Sequence, residues 1–129
     1  GHIRVAKYVA VHESGRILNP MTAASQVKGG VTIGIGMALH EELLYDRSTG
    51  IPVNPGYYGN RVMTHLDTPD IEVHFVEPED AYGPYGAKAI GEPPIIPVVA
   101  AIGNAIFNAT GRRLRELPFS RDRILEMLA

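Results

Sequence analysis

The sequence predicts an α+β domain, a two-layer arrangement in which a small mixed sheet is packed by a glycine-rich helix and by C-terminal helices. Two periodicities alternate along the chain. Runs rich in β-branched residues, at Ile3–Val11 and Ile71–Val76, have the period-two pattern of strands, while 20–39 and 95–110 repeat apolar residues at helical spacing. The order reads β-α-β-β-β-α-α, which suits a layered α+β domain. The length of 129 residues, 45% of them hydrophobic, is that of one domain with a buried core. No repeat, low-complexity tract or shift of composition divides it, so residues 1–129 are expected to form a single domain.

Each element has a local reason. Ile3, Val5, Val9 and Val11 favour a strand, and His12-Glu13-Ser14-Gly15-Arg16 reads as the turn that ends it. Asn19-Pro20 opens a helix, with asparagine as N-cap and proline at the first helical position. Ala24, Val27, Val31, Ile35 and Ala38 give that helix an apolar face as far as Leu39. Gly29, Gly30, Gly34 and Gly36 interrupt it, at roughly 1 kcal/mol each relative to alanine. Close packing is the ordinary reason for such glycines; contact with a bulky cofactor is the other. Gln26, Gly30 and Ile33 share one face with Gly29 alongside, a bare patch beside a side-chain amide.

Glu41–Asp46 and Ile51–Val53 are expected to pair as a hairpin around Arg47-Ser48-Thr49-Gly50, with Glu41 and Glu42 on opposite faces. Residues 54–70 read as a long connection. Ile71 to Val76 alternates as a strand. Ile95, Val98, Val99, Ile102, Ile106 and Ala109 form the face of a helix ending near Thr110, with Gly111 as its C-cap. Ser120 reads as the N-cap of a last helix, and Phe119 with Ile124 as its hydrophobic staple.

Composition excludes several classes of function. A net charge of −2 with no long basic run argues against nucleic acid or an anionic membrane as partner. No apolar run is expected to span a bilayer, no signal-peptide pattern is present, and a cytoplasmic location is expected. The absence of cysteine excludes disulfides, thiolate metal sites and a cysteine nucleophile within these residues. Histidines at 2, 12, 40, 65 and 74 form no paired ligand pattern, so no protein-ligated metal is expected. Gly34-Ile35-Gly36 lacks the third glycine of a dinucleotide fingerprint and lies within a helix, so that reading is rejected.

The most informative stretch is Gly83-Pro84-Tyr85-Gly86-Ala87-Lys88-Ala89-Ile90-Gly91-Glu92-Pro93-Pro94. Its glycines allow close backbone approach, and the two prolines stiffen the chain directly after one carboxylate. Two readings stand. Glu92 is an anion at a helix entrance, or it is a positioned acid or base.

Gly86-Ala87-Lys88-Ala89-Ile90-Gly91-Glu92-Pro93-Pro94 resembles the active-site segment of the molybdenum-binding subunit of the xanthine dehydrogenase and aldehyde oxidase family. The likeness runs nearly the whole length. Gly15-Arg16-Ile17-Leu18-Asn19-Pro20 is similar to the family's Gly-Arg-x-(Leu/Ile)-Asn-Pro, and Gln26-Val27-Lys28-Gly29-Gly30 to its Gln-(Val/Ile)-x-Gly-(Gly/Ala). Gly34-Ile35-Gly36 and Glu41-Glu42-Leu43 continue in register. The resemblance implies oxidative hydroxylation of an aldehyde or an N-heterocycle. It implies Glu92 as catalytic base, Gln26 as a contact to the pterin of the molybdenum cofactor, and Gly91 in the adjoining backbone. Lys88 is given no catalytic role.

The departures matter equally. Family subunits are several times longer, and the upstream Gly-Gln-Gly pterin-binding stretch is missing here. The chain is therefore expected to be a C-terminal piece of the subunit, inactive alone and prone to self-association. Its expected partners are the remainder of the molybdenum subunit and subunits or domains carrying iron–sulfur clusters and FAD. The alternative is a non-catalytic fragment or accessory module of the same fold, serving assembly or small-ligand binding.

Overall fold

The computed structural model describes residues 1–76 and 78–129. Its elements are β1 (Lys7–Glu13), α1 (Pro20–Leu39), β2 (Asp70–Val76), α2 (Val98–Thr110) and α3 (Arg121–Leu128). Single 3₁₀ turns at Pro84–Gly86 and Pro93–Ile95 interrupt the segment between β2 and α2. The α+β class is as expected. β1 and β2 pair in parallel, Tyr8 opposite Ile71 and His12 opposite Phe75, and α1 lies in the crossover between them. A parallel pair needs such a crossover, because no tight turn can join its ends.

α1 begins where its capping residues predict. Asn19 Oδ1 accepts from the Thr22 N–H at 3.2 Å, and Pro20 occupies the first turn. Val27, Val31, Ile35 and Ala38 form its buried stripe, and Ala23 rather than Ala24 extends it. The stripe meets Ile71 of β2, Val98, Ile102 and Ile106 of α2, and Phe119 and Ile124 at the start of α3 in one core. Burying each such side chain is worth about 1.5–3 kcal/mol, so this cluster supplies the main drive to fold.

Several expectations are corrected. β1 starts at Lys7 rather than Ile3, although Ile3 and Val5 still pack against the core. The hairpin forms only as an isolated bridge between Tyr45 and Pro52, with Asp46 N–H donating to Ile51 O at 2.9 Å. It cannot lengthen into the sheet as drawn from the sequence. Beyond Val53 N–H to Leu44 O, the Leu44 N–H donates to Asn54 Oδ1 at 2.7 Å instead of to the facing arm, and Pro52 has no donor to add to a ladder. Among the described residues the sheet therefore has two parallel strands and no antiparallel member. Glu41 and Glu42 do diverge. The Glu41 carboxylate lies over Gly36, while Glu42 pairs with Arg123 at 2.8 Å.

α2 begins at Val98, later than its apolar periodicity suggests. Pro93, Pro94 and Pro97 lack amide donors, so the chain makes one 3₁₀ turn, Ile95 N–H to Glu92 O at 2.9 Å, before a regular helix is possible. Gly111 ends α2 at φ 71°, as expected. The span Pro93–Thr110 is, by length and composition, apolar enough to cross a membrane, contrary to expectation. Its α-helical part has 13 residues, about 20 Å of rise, against a hydrocarbon core of about 30 Å. Ser120 has N-cap backbone angles but makes no side-chain bond to the helix amides; its hydroxyl serves Asp122 instead.

The chain exposes 8927 Å². A folded monomer of 14.0 kDa is expected to expose about 6,700 Å². The excess is apolar in part. Val9, Val11 and Val76 stand more than half exposed on the outer face of the sheet. A groove of about 750 Å³ runs between residues 1–9 and the bare Ala101, Ala105 and Ala109 of α2.

Candidate functional site

Glu92 sits at the entrance of the Pro93–Ile95 turn with φ −97° and ψ −18°. It is exposed, makes no capping bond, and its side chain has no hydrogen-bond or ion-pair partner among the described residues. Its backbone is nevertheless held. On the C-terminal side Pro94 is buried against α1, where a Cβ added at Gly30 would lie 2.9 Å from Pro94 Cβ. One turn on, a Cβ at Gly34 would lie 2.6 Å from Val98 Cβ. These two glycines let the chain after Glu92 lie directly on the helix.

The N-terminal side is held by polar contacts from the end of β1. Lys88 N–H donates to Ser14 O at 2.8 Å, and Arg16 N–H to Gly86 O at 2.8 Å, on either side of a bridge between Gly15 and Ala87. Gly15 has φ +62°, and a Cβ there would meet Gly86 O at 2.3 Å, so no other residue fits. Ser14 is 2% exposed and its hydroxyl donates to Ala89 O at 3.4 Å. Glu13 completes the clamp. Oε1 accepts from the Gly15 amide at 2.6 Å, and Oε2 accepts from Lys88 Nζ at 2.9 Å. The Lys88 ammonium, then the Gly15 amide, hold the Glu13 carboxyl below its ordinary value, and Glu13 raises Lys88 in turn.

Beside the N-terminal anchor, against the first turns of α1, lies a groove of about 350 Å³ whose walls are mostly apolar, from Ile17, Leu18, Ala23 and Ile90, with Gln26, Lys88 and Gly91 among them. Gln26 projects from α1, and Gly91 comes from the Glu92 loop. Two residues 65 positions apart in sequence thus face one cavity, with Glu92 next to Gly91 in the chain. Gln26 is exposed and its amide has no partner among the described residues. Gly29 and Gly91 both face open space, with no atom within 4 Å of an added Cβ. A flat ring fits such walls, with apolar side chains to pack its face and the Gln26 amide to bond its edge.

The four α1 glycines separate by role. Gly30 and Gly34 serve packing, Gly36 makes room for Glu41 and Met63, and Gly29 is bare. Sequence reasoning missed Glu13 and Ser14, and left Lys88 without a task. A glutamate and a lysine 75 residues apart carry no local signal of pairing. Among the described residues no group of three His, Asp or Glu side chains is placed to hold a metal. His40 lies away from the groove, its imidazole pushed down by burial and then by Arg61.

Residues 1–69 match the molybdopterin cofactor-binding domain family. Over 96% of its length the chain is 44% identical to a xanthine dehydrogenase molybdenum-binding subunit of Escherichia coli, covering 16% of that protein. Over 99% it is 46% identical to an aldehyde oxidoreductase molybdenum-binding subunit of Escherichia coli, covering 18%. The fold matches the crystal structure of quinoline 2-oxidoreductase from Pseudomonas putida with a TM-score of 0.90 and 30% identity, over 97% of this chain and 16% of that one. It matches the aldehyde oxidoreductase of Desulfovibrio desulfuricans at 0.86 and 35%, over 98% and 14%. The chain thus spans about a sixth of the length of these relatives. With Gln26 in the matched region, on the wall of a groove that also holds Gly91, the chain belongs to the molybdopterin cofactor-binding domain family.

Proposed function

We propose that residues 1–129 form the C-terminal part of the molybdenum-binding subunit of a hydroxylase that acts on an aldehyde or an N-heterocycle. Gln26 and Gly91 line the place of the pterin, and Glu92 is the base. The observation that carries this reading is the shared groove, with a free carboxylate one residue from its rim. When bound, the molybdenum–pterin group supplies the two-electron oxidation. The chain supplies placement. Gln26 offers two donors and an acceptor to the pterin edge, and Gly91 keeps the loop backbone clear of it. Glu92 takes up at its carboxylate the proton lost as a water-derived oxygen joins the substrate carbon. Iron–sulfur and FAD groups on other domains or subunits would supply the onward acceptors for the electrons.

The large exposed surface and the bare alanine face of α2 support the reading as one part of a larger unit. Alone, the fragment is expected to bind no molybdenum, to be inactive, and to self-associate through these faces.

The deciding experiment is Glu92→Gln in the complete enzyme. The amide keeps the shape and removes the basicity, so turnover should fall by about 10²- to 10⁴-fold with molybdenum and pterin content unchanged. Wild-type turnover in this variant would end the assignment.

A further inference from the structure

Among the described residues the Glu92 side chain has no partner, so its position depends on the backbone that carries it. That backbone is pinned at two ends of different character. The C-terminal anchor is steric, Pro94 on Gly30 and Val98 on Gly34. The N-terminal anchor is polar, and its bonds run main chain to main chain except at Ser14, Glu13 and Lys88. Glu13 is the hub. One oxygen sets the Gly15 turn that forms the bridge to Ala87, and the other holds the ammonium of Lys88, four residues before Glu92.

We infer that the Glu13–Lys88 pair is the positioning device of the Glu92 loop: it fixes the register of Gly86–Gly91 against the end of β1 and so sets where the carboxylate stands over the groove. This rests on the reading of Glu92 as base. Glu13 and Lys88 are positioning residues that need not touch substrate. Their side chains are about 40% exposed, so the pair adds little to global stability, as exposed pairs generally do. Its effect is expected in turnover, because an error of about 1 Å in a reacting group can cost on the order of a hundredfold.

The test is made on the complete, cofactor-loaded enzyme. Glu13→Gln, at a residue outside the groove walls, should lower kcat by about tenfold or more with KM, molybdenum content and Tm nearly unchanged, and Lys88→Met should lower kcat as much with Tm nearly unchanged. The double variant should be no slower than the slower single one, since both break one contact. Lys88→Arg, which keeps a cation in reach of Glu13, should restore most of kcat. Wild-type kcat in both single variants overturns the inference. So do losses that multiply in the double variant, or a fall in Tm or cofactor content that accounts for the lost rate. The two readings fail separately. An active Glu92→Gln enzyme removes the base, whereas an inactive Glu92→Gln beside an active Lys88→Met removes only the positioning pair.

Discussion

The two sides of α1 use the same residue for opposite ends. On the packed side, Gly30 and Gly34 lack side chains because Pro94 and Val98 occupy the space where a Cβ would stand. On the open side, Gly29 lacks one although nothing within 4 Å requires it, and it shares that side with the unpartnered amide of Gln26 and the exposed Ile33. Interior glycine costs a helix about 1 kcal/mol, so both sides carry a penalty. On the packed side the chain itself explains it. On the open side no contact within 4 Å explains it, and on the proposed function the group that does would sit in the adjoining groove walled by Gln26 and Gly91.

Substitutions on the two sides should therefore move different observables. Gly34→Ala places a methyl 2.6 Å from the Cβ of fully buried Val98, which cannot swing away. At so close a contact the upper part of the overpacking range, about 2–3 kcal/mol, applies and exceeds the gain in helix propensity of about 1 kcal/mol. A net loss of roughly 1–2 kcal/mol should lower Tm by roughly 3–10 °C in a thermal melt. An unchanged Tm would mean that the contact between α1 and α2 is looser than described.

Gln26→Ala should do the reverse. The amide has no partner among the described residues, so Tm of the chain should hold, while cofactor affinity in the complete enzyme should fall by roughly 1–3 kcal/mol, seen as lost molybdenum and pterin occupancy. Full occupancy in the purified variant would return Gln26 to an ordinary surface role. Gly29→Ala sharpens the contrast further. In the chain alone it should stabilise by roughly 0.5–1 kcal/mol, because nothing obstructs the methyl and the unfolded state loses freedom. In the complete enzyme the same methyl should reduce cofactor content, and a gain in both observables would show that the open side is merely unfilled.

The smallest expected effect concerns pH. Glu13 has a folded pKa below its ordinary value of 4.5, chiefly through Lys88 and then the Gly15 amide. Its contribution to holding the loop is complete above the ordinary value. It is lost as pH falls through the lower folded one, since the unfolded chain binds the proton first. Hydrogen exchange at the Lys88 amide, bonded to Ser14 O, should therefore quicken in that acid window relative to amides inside α1, once the intrinsic pH dependence of exchange is removed. The same relative protection across the window would show that the main-chain bonds hold without the carboxylate.

Much of this was legible because it is local. Asn19-Pro20 announces a helix start by chemistry confined to four residues, and α1 begins there and runs to Leu39 as read. Gly111 ends α2 for the same kind of reason. The expectations that moved were those in which local preference competes with something else. Pro97 delayed α2 past its apolar periodicity, and the Asn54 side chain took the Leu44 donor that a longer hairpin needs. Ser120 has the angles of a cap, but its hydroxyl serves Asp122.

By itself the sequence determined the elements with strong ends, the apolar stripes that make the core, and the resemblance that singles out Gln26, Gly91 and Glu92. Those depend on neighbours within a turn or two, or on motifs read directly. The tertiary structure alone decided that β1 and β2 run parallel, which glycines of α1 are packed and which are bare, and that Glu13 reaches Lys88 across 75 positions. Those are contacts between segments whose separation carries no periodic signal. They exist only because burying one shared apolar stripe brings β1, α1 and the Glu92 loop to the same place.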